Sequence, residues 1–196
     1  MSRTEKAGNY ILTRMRNELN SSMHYHNVPH VMDVLNAAET IGKLEKINDQ
    51  EMELLQVAAL FHDSGFIISA DDHEQLSCDI ARKFLPEIGF SERELEVICS
   101  LILATRVPQT PSTHLEKIMC DADLDYLGRD DFFTTGNNIY LEFMARNLVS
   151  DKKSWDEMQV KFLTAHNYFT PTSIRLRSAK KAEHLQKIKQ HLQERV

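Results

Sequence analysis

Nine histidines are many for a chain of 196 residues, and a few of them stand where imidazole and carboxylate chemistry belong together. The segment Tyr25-His26-Asn27-Val28-Pro29-His30 sets two imidazoles four residues apart, on one side of the chain where a helix begins. His62 and Asp63 are adjacent at the end of an otherwise apolar helix, where a buried carboxylate is costly unless it is paired or holds a cation. Asp121, Asp123 and Asp125 lie among apolar neighbours in Ile118-Met119-Cys120-Asp121-Ala122-Asp123-Leu124-Asp125-Tyr126-Leu127, and again call for local positive charge. Asp123 shares a helix side with Met119, Cys120 and Leu127 and therefore points inward. Mixed imidazole and carboxylate donors suit a divalent ion of the zinc, manganese, iron, magnesium, cobalt or nickel type in an open site. Such an ion polarises a phosphoryl oxygen and activates water, so hydrolysis is the chemistry these residue types favour.

The elements that must position them are helical. Glycine and proline number only six and five, apolar residues recur at helical spacing, and no alternating strand pattern appears. A first helix is expected over Thr4 to Leu19, and a second from Asn27-Val28-Pro29, a capping residue followed by a first-turn proline. Asn48 with Glu51 and Ser91 with Glu94 have capping-box spacing and open the third and fifth helices, with a fourth from about Asp71 to Leu85 between them. The third should run to His62-Asp63 and stop at Ser64-Gly65 on a C-terminal glycine signal. The sixth is expected over Ser112 to Leu127, ended by Gly128. Three more cover Asp130 to Val149, Asp151 to Tyr168, and Thr170-Pro171 to the end. The fold class is all-α, about nine helices in one bundle. No repeat, low-complexity segment or linker divides it, so residues 1–196 read as a single domain.

In this order and helical context, His30 followed by Val34, the His62-Asp63 doublet and Ala122-Asp123-Leu124 resemble the successive signatures of the HD metal-dependent phosphohydrolase superfamily. The likeness spans roughly residues 24 to 130, with the helices of 130–196 following it. It implies an HD-type bundle in which His30, His62, Asp63 and Asp123 hold one tight divalent metal, with Asp63 also in the catalytic set. The opening motif is similar to that of cyclic nucleotide phosphodiesterases, which makes His26 the acid for the leaving oxygen and His30 a ligand. The activity implied is hydrolysis of a phosphomonoester or phosphodiester, on a nucleotide or other small phosphorylated metabolite, by water activated on the metal. His73-Glu74 resembles the His-Glu element of two-metal HD proteins, but Thr105 stands where their next histidine would be. The same pair also reads as a solvated first-turn His-Glu with Glu74 well placed on the helix dipole. Phe66 occupies a position where some relatives carry a phosphate-binding lysine, leaving Arg106, Arg175 and Arg177 as candidates for that contact. Two other readings stand beside the hydrolase: a regulatory domain that binds metal or nucleotide without turnover, and a di-iron oxygenase of the HD type, which needs more histidines.

Composition bounds the rest. With 42% hydrophobic and 27% charged residues, close to the averages of soluble globular proteins, and no long apolar run, no membrane span is expected. A net charge of -6 argues against general nucleic-acid binding. The basic tail, with Arg175, Arg177, Lys180, Lys181, Lys187, Lys189 and Arg195, reads as a solvated helix face whose first residues are candidates to meet a phosphate. Cys78, Cys99 and Cys120 are odd in number and unclustered, which fits buried reduced thiols. With no apolar signal segment after Met1-Ser2-Arg3-Thr4-Glu5-Lys6, the expected location is the cytoplasm. A homodimer suits a small helical enzyme, although no heptad seam derives one. His24, His114, His184 and His191 are expected at the surface.

Overall fold

The computed structural model describes residues 1–194, so Arg195 of the basic tail lies outside the described residues. Among these, regular structure is helical throughout and no strand occurs, as the apolar spacing requires. Two compact units are formed, one from Met1–Ser21 with His26–Asp123, the other from Ser22–Tyr25 with the chain from Leu124 onward. No helix among the described residues is long and apolar enough to cross a membrane.

The first unit comprises α1 (Arg3–Glu18), α2 (Val28–Leu44), α3 (Asp49–Phe61), α4 (His73–Phe84), α5 (Glu92–Ala104) and α6 (His114–Asp123). The helix starts follow their capping chemistry. Ser2, Asn48 and Ser91 each close a reciprocal box with a glutamate three residues on, while Asn27 caps α2 with Pro29 in its first turn. The center of the unit is α3, whose last two turns are apolar except at Gln56: Leu54, Leu55, Val57, Ala58, Ala59, Leu60 and Phe61 are all buried. A helix of that pattern has almost no solvent face, so α1, α2, α5 and α6 pack around it. Each large side chain so buried contributes roughly 1.5–3 kcal/mol.

Several boundaries differ from the sequence expectation: the seventh helix ends at Ala145 and the eighth at Ala165, and two others bear on the site. Helix α3 ends at Phe61, and a 3₁₀ turn over Ser64–Ile67 follows. Gly65 has no left-handed backbone and is not a helix cap. It is required instead because a Cβ there would lie 2.0 Å from the carbonyl oxygen of His73. The sixth helix stops at Asp123 rather than Leu127; Leu124 leaves helical geometry at φ -108, ψ 19, and a 3₁₀ turn covers Asp125–Gly128.

The second unit holds that turn with α7 (Phe132–Ala145), α8 (Lys152–Ala165) and α9 (Pro171–Glu194) around Tyr126, Leu127, Phe132, Trp155 and Ile188. Gly128 permits close packing, since a Cβ would fall 2.4 Å from the carbonyl oxygen of Arg177. His184 is not at the surface as expected: it is buried, stacks on Phe132 at 4.4 Å, and donates from Nδ1 to the Leu127 carbonyl at 3.0 Å. Its place on α9 follows the buried stripe that also contains Ile188, an i, i+4 relation that marks it as inward. His24, His114 and His191 are exposed. All three cysteines are buried and free of disulfides.

Candidate metal centre

His30 is fixed by the start of α2. Asn27 accepts from the His30 backbone N–H at 3.4 Å and Pro29 sets the preceding φ, so the imidazole is aimed by backbone already ordered. His62 continues the helical backbone one residue past α3, and its Nδ1 lies 2.8 Å from the carbonyl of Ala59. A carbonyl only accepts, so Nδ1 carries a proton and Nε2 is the nitrogen turned to the acids. Asp63 leaves the helix at φ -104, ψ 6, which turns its carboxylate across the end of α3. Asp123 is the last residue of α6.

These four side chains meet. The two Nε2 atoms of His30 and His62 are 3.3 Å apart, and Oδ2 of Asp63 is 3.3 Å from each of them. Oδ1 of Asp123 is 3.5 Å from both. Donor atoms of His30, His62 and Asp123 all lie within 4.8 Å of one another. Ligand atoms roughly 2.0–2.2 Å from a common ion stand about 3.0–3.6 Å apart, so the spacing of His30, His62 and Asp123 fits one divalent metal, with Asp63 Oδ2 against both imidazoles. The bonding fits it too: Asp63 Oδ2 is buried and no hydrogen-bond donor is aligned on it, an expensive state unless a cation takes up the lone pairs. Gln109 donates to Asp123 Oδ2 at 3.5 Å and to the Cys120 carbonyl at 3.5 Å, steadying the carboxylate from the far side. Its position in the loop before α6 carried no sequence signal.

Electrostatics without a metal expose the same need. Burial opposes charge on His30 and His62, yet the facing carboxylates outweigh it and raise both imidazoles, His62 well above its ordinary value. Burial likewise resists ionisation of the aspartates, but the imidazoles hold Asp63 well below the carboxylate range and Asp123 at about 2. The group therefore stores two negative charges and seeks positive charge of any kind.

Around this core lie the remaining candidates. The His26 ring is edge-on to that of His30 at 5.9 Å and stacks on Phe66 at 4.3 Å; Phe66 in turn contacts the His73 ring at 4.2 Å. His73 Nε2 is 3.6 Å from Asp63 Oδ1 and 3.5 Å from Glu74 Oε1. Glu74 is buried, only 6% exposed, which overturns its reading as a solvated first-turn acid. The start of α4 is drawn in by Ser77, whose hydroxyl donates to the His62 carbonyl at 2.7 Å and accepts from the Gly65 N–H at 2.8 Å. Arg106 pairs with Glu74 at 3.4 Å and Asp72 at 3.2 Å. Thr105 turns its hydroxyl back on the Ile102 carbonyl at 2.7 Å. Of the clustered acids, Asp123 joins the histidines, while Asp125 is held by Arg177 at 2.7 and 3.0 Å within the second unit. Arg177 is therefore occupied, and Arg175 is exposed on α9 of that unit.

Comparison with known proteins meets this geometry. No curated protein matches the chain by sequence. Among solved structures, a predicted HD superfamily hydrolase from an uncultured Thermotogales bacterium superposes with a TM-score of 0.61 at 22% identity, covering 96% of this chain and 92% of that one. YpgQ of Bacillus subtilis, solved in complex with ADP, gives a TM-score of 0.67 at 17% identity with 97% of both chains covered. At such identities these are likenesses of fold. The sequence profile of the HD domain matches residues 28–125, half of the chain and the stretch that carries His30, His62, Asp63 and Asp123; by that match the chain belongs to the HD domain family.

Proposed function

We infer that this chain hydrolyses a phosphomonoester or phosphodiester, on a nucleotide or another small phosphorylated metabolite, at a centre of one divalent ion held by His30, His62, Asp63 and Asp123. The observation that carries the reading is Asp63 Oδ2, buried with no aligned donor and 3.3 Å from two imidazole nitrogens. When bound, such an ion polarises a phosphoryl oxygen and lowers the pKa of water from about 15.7 to about 7. The protein's own groups do the rest. The Ala59 carbonyl keeps His62 in the tautomer that offers Nε2, and the Asn27 cap keeps His30 in register. His26, 5.9 Å ring to ring from His30 and braced flat against Phe66, supplies a proton to the departing oxygen.

The likeness of fold to a protein solved with ADP supports placing nucleotides first among substrates. The oxygenase reading needs an additional imidazole, and Thr105 offers only a hydroxyl already engaged with Ile102. The deciding experiment is a hydrolysis screen of the purified chain with Mn, Zn, Mg, Co, Fe and Ni, against nucleoside mono-, di- and triphosphates, cyclic nucleotides and sugar phosphates. Release of phosphate, pyrophosphate or nucleoside that needs added metal is expected. Tight metal binding with no turnover on any class would instead favour a regulatory domain.

A further inference from the structure

Asp63 presents a second face. While Oδ2 looks toward His30 and His62, Oδ1 lies 3.6 Å from Nε2 of His73, and that nitrogen is 3.5 Å from Oε1 of Glu74. Nδ1 of His73 sits 3.2 Å from the Ala70 carbonyl, which only accepts, so Nε2 turns its lone pair toward the two carboxylates. The His73 imidazole thus stands between two carboxylates, one of them shared with the first set of donors. A second ion there would have to share Glu74 with a cation the chain already provides. On the other oxygen of Glu74, Oε2, lies Nε of Arg106 at 3.4 Å, while Nη2 of the same guanidinium reaches Oδ1 of Asp72 at 3.2 Å. Glu74 is buried and must be neutralised; Arg106 is about half exposed and satisfies it from the solvent side. A divalent ion on Oε1 would face that guanidinium across a single carboxylate, well inside one Debye length, with one negative charge divided between two cations.

We propose that Arg106 sets the metal number of this centre: by holding Glu74 with a fixed guanidinium it weakens a second ion at His73, Glu74 and Asp63 Oδ1 and keeps the site mononuclear. This rests on the metal-centre reading above and adds to it the residue that limits occupancy. Arg106 acts here as a positioning and charge-setting residue through Glu74 and Asp72. Its chemistry also explains why an arginine suits the place. A guanidinium stays charged at every physiological pH, and its fork spans Glu74 and Asp72 at once.

The test is titration of the full-length, metal-free chain with Mn²⁺, read by calorimetry and by native mass spectrometry, so that stoichiometry is measured apart from activity. The unaltered protein should take one ion tightly and a second only at much higher concentration. R106Q should bind the second ion about 10- to 100-fold more tightly, the scale on which groups behind metal ligands act, with R106K in between. The R106Q/E74Q pair should return to the starting stoichiometry, because the gain acts through Glu74. D72N, at a largely exposed position, loosens only the outer half of the clamp and should shift the second affinity slightly in the same direction, which gives a reading even if R106Q folds poorly. Equal second-site affinity in R106Q, R106K and the unaltered protein overturns the proposal, as does tight binding of two ions by the unaltered chain. Failure of the unaltered chain to bind even one ion overturns the metal centre itself, a result distinct from either.

Discussion

His62 Nδ1 and the carbonyl oxygen of Ala59, three residues earlier on the same helix, are 2.8 Å apart, and that contact fixes which nitrogen of His62 faces the acids. Because the tautomer is set from within α3, the free Nε2 arrives at the site as a ligand that needs only to be unprotonated. Metal binding should therefore compete with protons. Both imidazoles are raised above their ordinary value near 6.5 by the facing aspartates against the pull of burial, so the metal-free protein holds protons there that a metal must expel. The sign follows. Charged imidazoles stabilise the metal-free fold fully below about pH 6.5, and that contribution is lost as pH rises through their folded values. The aspartates, lowered in the fold, stabilise it above about pH 4, a contribution lost as pH falls through their folded values, about 2 for Asp123. The rise in melting temperature on adding Mn²⁺ should grow steadily from pH 6 to pH 8.5. A rise that is flat across that range would show that the ion does not displace imidazole protons.

Removing Asp63 tests the donor set. Its carboxylate is 3% exposed and contacts three histidines through two oxygens, so no other side chain replaces it. In D63A, elemental analysis after metal loading and desalting should find near-complete loss, and the metal-free protein should lose about 3–5 kcal/mol, the usual cost of breaking a buried charged pair from one side. Metal content equal to that of the unaltered protein would remove Asp63 from the site.

Much of this was legible in the sequence, and the limits are physical. Capping boxes at Asn48 and Ser91 and the Asn27-Val28-Pro29 start announce their helices because cap and turn chemistry is local. The inward side of Asp123 was readable because its neighbours Met119 and Cys120 are apolar. The early end of α6 was not, since nothing in Leu124-Asp125-Tyr126 resists helix; the bond from Arg177 to Asp125, 52 residues away, belongs to packing and not to propensity. The burial of His184 and Glu74 likewise depends on what other elements bring against them. Gly65 shows the commonest ambiguity, because a glycine after a helix signals either a left-handed cap or a close approach, and only the neighbour at His73 decides.

That close approach can be tested by stability. In G65A the new Cβ would meet the His73 carbonyl at 2.0 Å, and backbone on both sides must shift. Ser77→Ala removes the hydroxyl that joins the same two segments at 2.7 and 2.8 Å and leaves the buried His62 carbonyl without that donor, at a cost of about 1–3 kcal/mol. Denaturant unfolding should rank G65A below S77A, and both should lower metal affinity because the His62–Asp63 turn is displaced. A G65A protein as stable as the parent would show that α4 can slide away without consequence.

The last prediction separates His26 from His30. His30 is buried in the first turn of α2 with its Nε2 3.3 Å from both His62 and Asp63, whereas His26 precedes the cap, is half-buried, and lies ring to ring with His30 at 5.9 Å. His30→Ala should therefore lower metal affinity and turnover together. His26→Ala should keep the metal and lose the proton-transfer contribution, roughly 100- to 10,000-fold in rate. Leaving-group chemistry sharpens the distinction. A nitrophenolate departs without a proton, so the His26→Ala defect should shrink on p-nitrophenyl esters and persist on nucleoside or alkyl phosphates, where the alkoxide must be protonated as it leaves. Phe66→Ala, which removes the ring stacked at 4.3 Å on His26, should show the same leaving-group pattern in weaker form, because it loosens the acid without deleting it. If His26→Ala loses metal, or slows every ester equally, the imidazole belongs to the coordination shell or its support, and the proton must come from elsewhere.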